Sequence, residues 1–236
     1  MIGTIALTFA RQRARSPMRL ILSAALFGFG ILSVLFTGSL GTLDKGAMGA
    51  FGFIMAAGLI GQEVSSGVLT LAFARPLRRA DWVLGRWIGA SAFATALVAL
   101  QVLLGCAISL ARHGDPSLSL VAQKLLEGGL AATGASAVLL MFSALVPGLG
   151  DLGLVLLSAL MSSVMGMIGG HYQIGWLSRA GLEIGNALRA SLDLAPFFGQ
   201  GSISWFDVVS YFSTIAICLV VAIHAINRKE LSYASG

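Results

Sequence analysis

Six stretches of this chain run apolar without a single charged residue: 20–40, 46–61, 87–110, 128–146, 152–170 and 208–226. They are 16 to 24 residues long. At about 1.5 Å of rise per residue, 19 helical residues cover roughly 28 Å, close to the roughly 30 Å hydrocarbon core of a bilayer. Lipid offers no hydrogen-bond partner to a backbone amide, so an open-chain span must be helical. A membrane barrel needs alternating strands, and these runs are continuous. The pattern therefore predicts an all-α integral membrane protein with six transmembrane helices, forming one domain over residues 1–236. The second run is short for a span. It is expected to gain a turn at its ends, with Gln62 and Glu63 marking its polar end.

Charge content agrees. Only 11% of residues are charged and 57% are hydrophobic, against about 25% charged in soluble domains. So few charges cannot cover a water-facing surface, which excludes a soluble globular domain and a disordered chain. The net charge of +5 sets orientation here; with no aromatic interleaving of a basic patch, no nucleic-acid partner is expected. Ten basic residues fall on one side of the spans: Arg11, Arg13, Arg15, Arg19, Arg75, Arg78, Arg79, Arg86, Arg228 and Lys229. Five fall on the other: Lys45, Arg112, Lys124, Arg179 and Arg189. The positive-inside rule then places both termini in the cytoplasm of a cell inner or plasma membrane.

Residues 1–19 mix Ile5, Phe9 and Met18 with four arginines. They read as an interfacial basic helix or, equally, as a positively charged flank. The first run is too long, and too poor in small-residue cleavage sites, for a cleavable signal. Cys106 and Cys218 lie in apolar runs and make no CxxC site.

Several chemistries are missing. None of the three lysines follows a glycine, so no Walker-type phosphate loop exists. No HExxH, GxSxG or Cys/His metal spacing occurs, and His113, His171 and His224 are isolated. Met161, Met165 and Met167 near His171 read as packing rather than a soft-metal path. The runs carry no acid or base, which argues against an ion-coupled carrier. Uphill transport would draw its energy from a partner.

Residues 62–86 form the most informative connection. Leu69, Ala72, Phe73 and Pro76 fall at helical spacing, Pro76 ends that element, and Arg78, Arg79 and Asp81 follow it toward the third run. Here the chain resembles the permease subunit of ABC-2-type ABC exporters. In that family a Glu ends the second span, and a Gly-Thr-Leu-like turn follows. An apolar half-turn, Pro-x-x-Arg and a basic residue then lead into the third span. The matching residues are Glu63, Gly67, Leu69, Pro76, Arg79 and Arg86. Two departures are visible: Val68 replaces the usual Thr or Ser, and Arg86 the usual Lys.

The resemblance implies a cytoplasmic coupling helix in 62–86. That helix would seat on a separate ABC ATPase subunit, which holds ATP and Mg; no cofactor is expected in this chain, and no enzyme activity of its own. Glu63 would order the base of the second span, while Arg78, Arg79 and Arg86 would meet the ATPase or lipid headgroups. A second permease copy, identical or related, is implied, with spans one and five near the two-fold axis.

Residues 171–207 form the external segment. Ala180, Ile184, Leu188 and Leu192 recur every four residues, Glu183, Asn186 and Arg189 lie off that stripe, and Pro196 follows. This resembles the family's re-entrant external helix before the last span; a surface helix in the headgroup plane fits the same pattern. Small-residue pairs such as Gly85/Gly89, Gly52/Ala56 and Gly166/Gly170 permit close helix contacts. The apolar path suits a hydrophobic, lipid-like or lipid-linked cargo. The competing reading is a membrane-embedded enzyme or assembly scaffold without transport.

Overall fold

The structure is a computed structural model and describes residues 2–61, 78–146, 150–199 and 204–233. Among these, the regular structure is entirely helical. Helix α1 covers Ile2–Ala14, α2 Pro17–Thr37, α3 Lys45–Ala56, α4 Arg79–Ala111 and α5 Leu118–Leu145. Then come α6 at Gly150–His171, α7 at Gly175–Arg189, the single turn α8 at Ala195–Phe198, and α9 at Trp205–Tyr233. Five of them, α2, α4, α5, α6 and α9, are long and apolar enough to cross a membrane. The chain is thus an all-α protein whose long helices fit a multi-pass membrane protein.

The second apolar run departs from expectation. Its helix, α3, has 12 residues, about 18 Å of rise, and gains no turn at either end. Asp44 stops it on one side, its carboxylate accepting from the Ala47 amide at 3.0 Å. On the other side Ala57 swings to ψ 129° and Gly58 takes φ +60°, a left-handed conformation that suits glycine. Residues 57–60 carry the apolar run on as a turn rather than as helix, and Gly61 is helical again.

The other ends are set by ordinary capping chemistry. Pro17 opens α2 behind Ser16, and Gly38 at φ 71° closes it. Ser117 caps α5 through the Leu120 amide.

The core sits where α3 lies against α5, with Phe51, Met55, Leu139 and Leu140 fully buried. Small residues make that approach close. A Cβ on Gly52 would collide with the Ala132 carbonyl, and one on Gly128 would meet Met48 Sδ at 2.6 Å. Gly85 and Gly89 do the same for α1 on α4, lying under Ile5 and Ala6. The pair Gly166/Gly170 of α6 does not serve this purpose, since a Cβ on either meets nothing within 4 Å; α6 and α7 instead approach closely at Gly169, beside Ser178, and at Gly181, whose carbonyl accepts from Ser162 Oγ at 2.6 Å. Tyr211 holds α9 to α5 by donating to the Leu130 carbonyl at 2.9 Å. Outer faces of α2 and α6 present Phe29, Phe36, Leu156 and Met167, as lipid-facing helices do.

Helices α2 to α6 and then α9 alternate in direction, which gives the bundle two ends. At one, α1, the start of α2, the end of α3 and the start of α4 meet the start of α6. We call this the basic end. The opposite end gathers the start of α3, the α4–α5 turn and the chain between α7 and α9. Cations there also serve backbone: Arg112 donates to the Leu35 carbonyl, and Lys124 to that of Leu43 at 2.7 Å.

One acid lies deeper than the apolar runs suggested. Glu127 immediately precedes the fourth run, yet α5 begins nine residues earlier, at Leu118. Glu127 is therefore inside a helix and buried. Its Oε1 accepts from Gln123 at 3.0 Å and from the Leu194 amide at 3.1 Å, tying the external segment to the bundle.

Candidate functional site

The interruption after α3 is the most densely organised polar structure among the described residues. A helix end leaves carbonyls without partners and a negative dipole end, and where burial excludes water the fold must supply partners. Here the chain's own cations do. Arg13 donates to the Ala57 carbonyl at 2.8 Å and to that of Gly58 at 3.4 Å. Arg19 donates to the same Ala57 carbonyl at 2.8 Å. Arg86 donates to the Leu59 carbonyl at 2.7 Å.

The amides are served from the other side of the chain. Gly58 N donates to Asp151 Oδ2 at 2.7 Å. Ile60 and Gly61 both donate to Ser143 Oγ at 3.0 Å. Asp151 spends its second oxygen on the Leu152 amide at 2.8 Å, at the start of α6.

Burial gives this arrangement its energetic weight. Asp151 is 0% exposed, Arg13 5% and Arg86 9%. Buried charges persist only when paired and hydrogen-bonded. Aromatic faces complete the enclosure: Arg13 lies over the Phe9 ring at 4.6 Å, and Arg86 over Trp82 at 4.0 Å. Five segments, α1, α2, α4, α5 and α6, thus converge on five residues of backbone. Those residues lead directly into 62–77, the stretch that holds Glu63, Gly67, Leu69 and Pro76.

The sequence-derived site residues divide accordingly. Glu63, Gly67, Leu69 and Pro76 lie outside the described residues. Arg78 is exposed and extended at the N-terminal cap of α4. Arg79 opens α4 and reaches Asn227 of α9 at 3.4 Å, half-buried. Arg86 differs from expectation. It points into the bundle rather than toward a partner, because the Leu59 carbonyl and Trp82 ring claim its guanidinium.

In the external segment, Ile184 and Leu188 are half-buried on α7. Leu192 is buried but off the helix, which ends at Arg189; Ala190 turns to φ +38° and breaks the four-residue stripe. Pro196 sits in the first turn of α8.

Arg13, Arg19, Ser143 and Asp151 were not legible as site residues. The two arginines read as flank. The available signal was a lone Asp151 at the start of an apolar run, together with a glycine inside another. A comparison of the chain with protein-family models gives no match, and a comparison with curated proteins gives none either.

Proposed function

We propose that this chain is the transmembrane permease subunit of an ATP-binding-cassette exporter, working with a second permease copy and a separate ATPase that binds ATP and Mg. The supporting observation is the broken α3. Non-helical backbone within a helical bundle, enclosed by charged side chains, is a device by which transporters place a movable joint. This joint adjoins 62–77 and is held by α1, α4 and α6 together. A push on 62–86 would therefore reach three helices through one cluster of hydrogen bonds, as a rigid-body or helix-shift switch requires.

In this reading the basic end faces the cytoplasm of an inner or plasma membrane. Arg78 and Arg79 meet the ATPase beside Glu63 and Pro76, while Arg86 acts from inside as a positioning residue. The test pairs ATPase pull-down with transport in the same membranes. Arg79→Glu inverts the charge offered to the partner and is expected to weaken capture most. Glu63→Ala and Pro76→Gly are expected to lower transport. Normal capture and normal transport in Arg79→Glu and Glu63→Ala together would reduce 62–86 to a topological flank and end the coupling assignment.

A further inference from the structure

At the end opposite the broken helix, the bundle encloses a cavity of about 580 Å³ between α3, α5, α7 and α9. That volume lies within the roughly 300–1,000 Å³ of small-molecule sites. Its charged lining among the described residues is one-sided: the carboxylates of Asp44, Glu183, Asp193 and Asp207 face a single cation, Lys45. Lys45 is already committed, 3.1 Å from Asp193. Asp193 also accepts from the Ala195 amide at 3.1 Å, and Asp44 from that of Ala47 at 3.0 Å. Glu183 and Asp207, on two different helices, have no hydrogen-bond or ion-pair partner among the described residues.

The rest of the wall is of another kind. From Asp44 it descends along α3 past Gly49 to Phe53, along α5 past Ala131 to Ala135, and along α9 past Tyr211 to Thr214. Nine residues of helix from Asp44 to Phe53 correspond to about 13 Å. The cavity is thus acidic toward the bundle's end and aromatic and apolar deeper in. Two unneutralised carboxylates repel an anion, and a neutral lipid tail gains nothing from them. Aromatic faces beside carboxylates favour a delocalised cation with an apolar body.

We propose that this cavity binds an amphiphilic organic cation, its charge held by Glu183 and Asp207 and its apolar body against Phe53 and Tyr211. That such a cation is the exported cargo rests on the export reading; the binding itself does not.

The test uses the full chain in phosphatidylcholine nanodiscs, without any ATPase, and two probes of matched shape and opposite charge: tetraphenylphosphonium and tetraphenylborate. Empty nanodiscs give the lipid background. The expected result is saturable tetraphenylphosphonium binding above that background and none for tetraphenylborate. Glu183→Gln with Asp207→Asn should weaken the cation at least about tenfold. Both carboxylates are exposed, and the single variant Asp207→Asn gives the same reading more weakly should the double variant aggregate. No saturable cation binding, equal binding of both probes, or cation binding unmoved by the substitutions would each overturn the assignment. No saturable cation binding by the unsubstituted chain, with ATPase capture intact, defeats the cavity alone; cation binding that the substitutions weaken, with no ATPase capture, defeats the export reading alone.

Discussion

The two ends of the bundle use similar side chains in opposite ways. At the basic end, Arg13, Arg19 and Arg86 donate to backbone carbonyls and Asp151 accepts from backbone amides. At the far end, Asp44, Glu183, Asp193 and Asp207 surround an open volume, and two of them bond to nothing among the described residues. Charge in the first region is structural, because it satisfies groups that lipid would leave bare. In the second it is exposed to whatever enters. Ionisable residues alone therefore do not mark a binding site in such a protein; what matters is whether the fold already uses them.

The sharpest way to break this contrast is to remove one charge from each region. Asp151→Ala strips the Gly58 and Leu152 amides of their acceptor and removes the charge that acts on Arg19. The expected loss is about 2–4 kcal/mol for the amides left without an acceptor, read as a lowered midpoint of thermal unfolding in nanodiscs. Glu183→Gln should move the same midpoint by no more than about 0.5 kcal/mol equivalent. Equal effects would mean that the basic end is no more structural than the far one.

A second comparison concerns helix approach. Gly52→Ala places a methyl group against the Ala132 carbonyl, whereas Gly153→Ala meets nothing within 4 Å. The first should cost about 1–3 kcal/mol by overpacking, and the second should be neutral or slightly stabilising by helix propensity. A harmless Gly52→Ala would show that α3 can draw back from α5.

Arg86→Lys sharpens the reading of one side chain. It keeps the charge but loses the planar stack on Trp82. A loss of about 1–2 kcal/mol is expected, against none for Arg78→Lys at its exposed position. Lysine serving as well as arginine at 86 would mean that charge alone matters there.

The smallest effect is one of pH at the far end. The Ala195 amide, then Lys45, hold the Asp193 carboxyl below the usual aspartate value. A group so depressed contributes stability above its unfolded pKa and loses it as pH falls through the folded one. The Lys45–Asp193 link should therefore persist through neutral pH and weaken only on acidification below the ordinary aspartate range. Because Asp193 is exposed, the change in stability should be slight. A stability step that Asp193→Asn abolishes at neutral pH would contradict this sign.

How far the sequence could be read follows the same division. Helices α2, α4, α5, α6 and α9 were legible because continuous apolarity has one solution in lipid. The break at Ala57 was not. Its residues are as apolar as those before them, and the partners that stabilise it lie between 27 and 93 positions away. Nothing local distinguishes Arg13, buried on a backbone carbonyl, from Arg11 and Arg15, which stay exposed. In the external segment the four-residue period located α7 but ran one turn too far, to Leu192. Ala190 leaves the helix there because its carbonyl closes against Gly134 of α5. Most of the coupling motif, from Glu63 to Pro76, lies outside the described residues, so its reading still rests on the resemblance.

The saturated backbone after α3 also bears on solvent exchange. Amides outside a helix or at its very start ordinarily trade their hydrogens with water within moments, and an interrupted helix would be expected to stand out as a fast patch. Here the Gly58, Ile60 and Gly61 amides each point at a buried oxygen, Asp151 Oδ2 or Ser143 Oγ. They should exchange as slowly as the helices beside them. Release should come as one event, since a motion that frees the Gly58 amide must also pull the Arg13 and Arg86 guanidinium groups from their carbonyls. Deuterium uptake at these three positions would then report the opening of the joint as a whole rather than the fraying of a loop.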